Sequence, residues 1–382
     1  MTLAVALFLL SAALVCYVVF GYPLLLALLA RRRQRAVRKQ FEPRTVTVLL
    51  PVRDSEAWVA AKLESILALD YPPALLQVVV VSDGSEDRTE DIIREYACRD
   101  SRIQLERIPA SGKAAALNAG LAQARGEIVF FTDVRQPLER ACLRNLVACF
   151  ADPAVGAVSG ELVILDSESR ERASVSLYWR YEKWIRKQLS AIDSVPGATG
   201  AVYAMRRSLT TSLPPDTLCD DMYLPLAAFL RGYRVILEEA AVAYDYPVSL
   251  EVEFPRKVRT LAGVYQIIRY WPALLGPRNR MGWHFWSHKL GRLLLPFALL
   301  AIAVTSPALP APYGALAAAV QAVFYALAAA DGLVPESWTL KAVTAPLRTF
   351  VVLMLAALCA VGVFFLPARW FWKGRRPESE AV

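Results

Sequence analysis

Short apolar runs alternate with helix-length amphipathic stretches from residue 45 onward. TVTVLLPV (45–52), LQVVVVS (76–82), RIQLERI (102–108) and GEIVFFT (126–132) are rich in β-branched and aromatic residues, the composition of strands. The alternation predicts a βαβ series, and therefore a doubly wound α/β sheet. Asp54, Asp83, Lys113 and Asp133 each stand just past one of these runs. Open α/β sheets bind ligands in the crevice outside the carboxyl ends of their strands, so this placement predicts that the four residues converge on one site.

Beyond the fourth run, LERACLRNLVACF (138–150) has helical periodicity and VGAVSGELVIL (155–165) that of a further strand or two. A long amphipathic helix is predicted over 175–191, then a Gly-rich turn, PGATGAVYAMRR (196–207). In 218–235 the acidic pair Asp220–Asp221 opens a helix that ends at Gly232, and VILEEAAVAYDYP (235–247) is a closing strand. These elements place the α/β domain at 44–250.

The flanks belong to a different solvent. Residues 3–30 carry no charge and exceed the roughly 20 apolar residues needed to span a bilayer. The run is too long for a signal peptide and lacks a positive leading region, so a retained transmembrane helix (1–30) is predicted. The basic linker that follows (31–43) contains RRRQRAVRK, and positive residues beside a membrane segment stay on the cytoplasmic side. This predicts an outside N-terminus and a cytoplasmic α/β domain in the inner membrane. The stretch 251–289 mixes basic residues with Trp, Tyr and Phe, as helices in the headgroup zone do. A C-terminal membrane region (290–368) holds three apolar segments, about 291–308, 313–331 and 349–367, before a tail (369–382). Four crossings put that tail outside, whereas its Lys373, Arg375 and Arg376 favour the cytoplasm; a re-entrant segment would reconcile the two.

The net charge of +8 does not signal nucleic acid, because six basic residues lie in the one juxtamembrane run, where topology and anionic headgroups account for them. No nucleic-acid recognition module accompanies them. The six cysteines form no CxxC pair and are expected to be small buried hydrophobes in a reducing compartment.

Each candidate group has a plain structural counterpart. PVRDSE (51–56) is either a helix cap or a phosphate-holding helix start, and Asp83 in SDGSEDRT either an Asx turn or an acceptor for a base or ribose. Lys113 in GKAAALNAG is not part of a Walker loop, since the upstream Gly is missing and Ala follows the Lys, but it suits a diphosphate, with Asn118 nearby. Asp133, at a strand end, is the metal candidate, for Mg or Mn. Of Asp220 and Asp221, adjacent on a helix, one can face the site as a base while the other makes a structural contact; the alternative is simple complementation of the helix dipole. His284 and His288 have zinc-pair spacing but no HEXXH glutamate, so interfacial packing is expected. Tyr178, Trp179, Tyr181 and Trp184 form either a core stripe or a sugar-stacking path.

Together these motifs, in order over about residues 44–290, resemble the membrane-integrated family 2 glycosyltransferases, the group of the cellulose, hyaluronan and poly-N-acetylglucosamine synthases. The resemblance implies a GT-A fold and inverting transfer from a nucleotide-diphosphate sugar, UDP-linked, to a polysaccharide or, alternatively, a lipid-linked acceptor. It implies nucleotide contacts from Asp54 and Asp83, diphosphate contacts from Lys113, Asn118 and Arg259, and a divalent metal on Asp133. Asp221 would be the base, with Asp220 in the leading acidic position of the "ED" motif, and Gly197, Gly200 and Arg256 would line the acceptor path. Two elements depart from the family pattern: Arg135 replaces the second carboxylate of DxD, and RKVRT (256–260) replaces QxxRW, an element associated with processive synthesis. Competing classes are a nucleotide-sensing transporter or scaffold, disfavoured by the scarcity of ionisable residues in the apolar segments, and nucleotidyl or phosphoglycosyl transfer, which would release a different phosphate product.

Overall fold

The computed structural model describes residues 2–165, 177–246, 250–335 and 337–372. Positions 175 and 176 of the predicted amphipathic helix, Pro247 of the predicted closing strand, and the basic tail residues Lys373, Arg375 and Arg376 lie outside the described residues. The chain divides into two compact units, one drawn from residues 33–174, 189–248 and 372–382, the other from 1–32, 175–188 and 249–371.

The first unit is built on a seven-stranded sheet. Its strands are β1 (Val46–Val52), β2 (Leu76–Asp83), β3 (Ile103–Ile108), β4 (Ile128–Phe131), β5 (Val155–Ile164), β6 (Tyr203–Arg206) and β7 (Arg234–Asp245), in the spatial order β3-β2-β1-β4-β6-β5-β7. The first four run parallel, with β1 between β2 and β4. The chain steps outward from β1 to β3 and then returns to the other side of β1, which creates the crevice where such sheets bind ligands. The sheet is mixed, because β6 runs antiparallel to both β4 and β5. Sequence pattern marked this segment as a Gly-rich turn. Four residues are too few to show alternation, and what makes them a strand is their pairing with β4, where Tyr203 lies opposite Phe131 and the two rings stack at 4.5 Å.

Both faces of β1 are covered, which is why it is almost wholly aliphatic. Val46, Val48, Leu50 and Val52 share one core with Val59, Leu63 and Ile66 of the Glu56–Leu67 helix and with Leu143, Leu146 and Val147 of the Cys142–Ala148 helix. Leu49 faces the other way and packs over Gly120 of the Lys113–Gln123 helix. The two faces follow the period-2 pleat. The basic linker is also tied to this unit: Arg35 pairs with Asp193, Lys39 reaches Glu238 at 2.5 Å, and the buried Arg234 guanidinium donates to the carbonyls of Arg35, Ser190 and Asp193. Part of the basic run is therefore spent on the protein's own acidic groups. Cys142, Cys149 and Cys219 are buried, but Cys16, Cys98 and Cys359 are exposed, so burial describes only half of the cysteines.

The second unit is helical. Among the described residues four helices are long and apolar enough to cross a membrane: Leu3–Arg32, Gly282–Ala308, Tyr313–Leu333 and Lys341–Phe364. Leu10, Phe20, Val304 and Leu316 are exposed on them, as lipid-facing side chains would be. A further helix covers Leu250–Tyr270. The second apolar helix starts at Gly282, ahead of the apolar run itself, and so includes both histidines. His284 Nδ1 lies 3.2 Å from the Tyr22 hydroxyl and His288 Nε2 lies 3.2 Å from Glu182, which also accepts from Arg292 at 2.6 Å. Tyr178 receives a hydrogen bond from Arg292 as well, and Lys257 sits over its ring. These contacts occupy the histidines and Tyr178 with protein neighbours.

One close backbone approach in the sheet is at Gly126, where an added Cβ would lie 2.5 Å from the Thr47 nitrogen and 2.6 Å from the Val46 carbonyl carbon. Neither atom can rotate away. Gly126→Ala is expected to destabilise the sheet by about 1–3 kcal/mol, seen as a lower thermal unfolding midpoint of the purified chain.

Candidate active site

The carboxyl ends of β1, β2 and β4 deliver Asp54, Asp83 and Asp133 to one edge of the sheet. Lys113 opens the helix after β3, and Asp220 and Asp221 open the Asp220–Leu230 helix, where acidic side chains suit the positive end of the helix dipole. The Lys113 ammonium bridges two of these groups, 3.0 Å from Asp133 Oδ1 and 3.2 Å from Asp220 Oδ1. Burial alone works against its charge, but Asp133 and then Asp220 outweigh burial and hold its pKa above the ordinary lysine value.

Successive helical residues point about 100° apart, so the acidic pair divides. Asp220 is buried against Lys113, whereas Asp221 Oδ2 points toward Gly200. A Cβ added at Gly200 would stand 3.2 Å from Asp221 Oδ2 and 3.7 Å from Asp133 Oδ2. Only glycine leaves that hollow open. The turn bearing it is docked by a 2.7 Å bond from the Ala198 nitrogen to the Asp221 carbonyl, and Gly197 packs on Met222.

The other predicted residues are distributed as follows. Asp83 accepts from the backbone nitrogens of Ser111 at 2.6 Å and Gly112 at 2.9 Å, which fixes the loop that presents Lys113. Asp54 sits at φ 43°, a left-handed conformation that costs a non-glycine residue energy, and its Oδ1 accepts from the Glu86 nitrogen at 2.8 Å. Asn118 is spent on the backbone of Leu213, donating to its carbonyl at 2.9 Å and accepting from its nitrogen at 2.8 Å. Arg135 is paired with Asp245 at 2.8 Å. Arg256 and Arg259 lie on the Leu250–Tyr270 helix of the helical unit.

Two groups escaped the sequence. Tyr203 is fully buried, and among the described residues its hydroxyl has no hydrogen-bond partner. Burial first, then Asp220, Asp221 and Asp133, keep it protonated. Lys62 is 1% exposed and donates to Thr132 Oγ1 at 2.6 Å and to the Gln136 carbonyl at 2.5 Å. Its one sequence signal is a lysine set within the apolar stripe Val59, Leu63, Ile66.

The site suits a divalent cation only in company. Among the described residues no group of three or more His, Cys, Asp or Glu could hold a metal by itself. The carboxylate oxygens of Asp133 beside the Gly200 hollow are the hard donors that Mg or Mn takes, with the remaining positions left to ligand oxygens and water.

Comparison with known proteins now bears on this geometry. The model for "Glycosyl transferase family 2" matches residues 47–213. The β-monoglucosyldiacylglycerol synthase of Trichormus variabilis is 26% identical over 299 residues, 74% of this chain and 63% of that protein. The poly-β-1,6-N-acetyl-D-glucosamine synthase of Staphylococcus aureus (strain COL) is 24% identical over 229 residues, 58% of this chain and 55% of that one. The chain thus spans little more than half the length of these curated relatives. A mannosyltransferase from Pyrobaculum calidifontis, solved with GDP-Man and Mn2+, superposes with a TM-score of 0.74 at 26% identity, covering 94% of this chain and 99% of that one.

Burial lowers the Lys62 pKa from 10.5 to about 7. The unfolded chain then keeps a proton that the folded chain releases, so stability rises as pH climbs between those two values. Lys62→Met should lack this rise: from about pH 7 upward, the wild-type unfolding midpoint is expected to gain on that of the variant, measured in parallel melts.

Proposed function

Because residues 47–213 form a family 2 glycosyltransferase domain on a GT-A fold, we propose that the chain transfers one sugar from a nucleoside-diphosphate sugar to a lipid acceptor at the cytoplasmic face of a membrane. The carrying observation is the Gly200 hollow, which Asp133 and Asp221 both face, with Lys113 bonded to Asp133 from the other side. This supports a reading in which a base, a metal-compatible carboxylate and a counter-charge for a diphosphate act in one small volume.

In this reading the Asp221 carboxylate takes the proton of the acceptor hydroxyl. The hydroxyl oxygen bonds to the anomeric carbon while the carbon–oxygen bond to the diphosphate breaks, and the nucleoside diphosphate leaves with that electron pair. A single displacement inverts the anomeric centre. Lys113 offsets the charge on the departing diphosphate, the preorganised electrostatics on which such transfers depend. Asp133 would hold a Mg or Mn ion, which would supply Lewis-acid neutralisation of the diphosphate. Asp83 and Asp54, at the ends of β2 and β1, face the nucleotide, while Gly197 and Gly200 border the acceptor. The four apolar helices anchor the enzyme where a lipid acceptor resides.

The lipid acceptor is favoured by Arg256 and Thr260, which stand where the processive pattern has Gln and Trp, and by the longer match to the diacylglycerol-modifying relative. Growth of a polysaccharide is the second reading, supported by the poly-N-acetylglucosamine synthase similarity. GDP-mannose is the first donor to try, from the nearly full-length match to the mannosyltransferase, followed by the uridine-linked sugars.

Incubation of detergent-purified protein with labelled nucleotide sugars and membrane lipid is expected to release nucleoside diphosphate and add one sugar to lipid. A ladder of products would establish polymerisation instead, and nucleoside monophosphate or pyrophosphate would end the glycosyltransferase reading. Asp221→Asn should lower kcat by about 10²- to 10⁴-fold with donor affinity retained; full turnover in that variant would remove Asp221 as the base.

A further inference from the structure

The residue that the proposed chemistry leaves unused is Lys62. Its helix, Glu56–Leu67, packs beneath the sheet, and 62 is a position where an apolar side chain would fit the stripe better. A buried lysine is expensive to keep without partners. Here the ammonium donates to both ends of the loop that carries Asp133, to Thr132 Oγ1 at 2.6 Å on one side and to the Gln136 carbonyl at 2.5 Å on the other. The contact continues, because the Thr132 hydroxyl itself donates to the Ala201 carbonyl at 2.8 Å. Ala201 follows Gly200, the residue that opens the hollow. One ammonium thus links the loop of Asp133 to the turn of Gly200.

The far end of this loop has further anchors, and its middle is held by Lys113 on Asp133 at 3.0 Å. Gln136 Nε2 and the Arg135 guanidinium both bond to Asp245, at 2.9 and 2.8 Å, so the charge of Arg135 is spent there. The near end, at Thr132, is held along the backbone by a bond from its nitrogen to the Leu49 carbonyl at 3.3 Å, and at its side chain through Lys62 and Ala201.

We propose that Lys62 is a positioning residue for sugar transfer, clamping the Thr132–Gln136 loop so that Asp133 meets the metal and the donor diphosphate in register with the Gly200 turn. This rests on the glycosyltransferase reading above. A displacement of about 1 Å in such a group can cost about 10²-fold in rate, and the loss falls on the metal-and-diphosphate side of the site. Lys62 touches neither donor nor acceptor.

Calorimetric binding of the nucleoside diphosphate to the full chain, with and without Mn2+, tests this apart from turnover. In Lys62→Met, binding without metal is expected to stay within about twofold of wild type, while the tightening by Mn2+ falls about tenfold or more; kcat drops by about 10²-fold and acceptor KM is unchanged. A folded Lys62→Met chain with wild-type Mn2+ dependence overturns the proposal. Should Lys62→Met fail to fold, Thr132→Ser and Thr132→Val decide: the hydroxyl-bearing Ser variant should keep the metal response and Val should lose it, and equal behaviour of the two overturns the clamp. If the wild-type chain binds no nucleoside diphosphate at all, the transfer reading falls and the clamp falls with it; wild-type binding with unaltered variants removes the clamp alone.

Discussion

Carboxylates of like charge brought to one edge of a sheet repel one another, and at contact distance in a partly buried site that repulsion amounts to several kcal/mol unless a cation is placed among them. Lys113 is that cation. Its ammonium bonds to Asp133 and Asp220 together, and the pair of contacts keeps it charged in spite of its burial. Much of the surrounding construction maintains this arrangement. Asp83 spends its carboxylate on the backbone of Ser111 and Gly112, immediately before Lys113. Asn118, one helical turn further on, is fastened to Leu213, in the segment that leads to the acidic pair.

The antiparallel β6 has a comparable role. By pairing with β4 through Phe131 and Tyr203, it holds the turn at residues 196–201 beside the loop that follows β4. The same pairing buries the Tyr203 phenol close enough to Asp133, Asp220 and Asp221 to feel their charge. A parallel strand here would have run the connection to the opposite edge of the sheet, and no glycine hollow would stand between the two carboxylates. The mixed sheet is thus a condition of the site as well as a feature of the fold.

The site also differs chemically from the DxD pattern that the sequence resembles. Arg135 takes the place of a second carboxylate, and its charge is absorbed by Asp245. The buried face of the same loop is occupied by the Lys62 amine, in a position that packing alone would give to an aliphatic residue. With one carboxylate fewer, the placement of Asp133 depends more heavily on the hydrogen bonds that hold its loop.

The linear pattern determined the βαβ alternation, the strand ends at Asp54, Asp83 and Asp133, the acidic helix start at Asp220–Asp221 and the apolar flanking helices, because each is a local signal: period 2 or 3.6, a charge at the end of an apolar run, or a span of uncharged residues. Strand β6 was hidden, since four residues acquire strand character only from a neighbour. So was the exposure of Cys98, the binding of Arg35 and Lys39 to Asp193 and Glu238, and the commitment of the Asn118 amide to a distant backbone. The division of labour between Asp220 and Asp221, and the attachment of Lys62 to the Asp133 loop, were decided only when segments far apart in sequence met. A side chain's type limits which bonds it can form, but its partner is chosen by packing, and packing is a property of the whole fold.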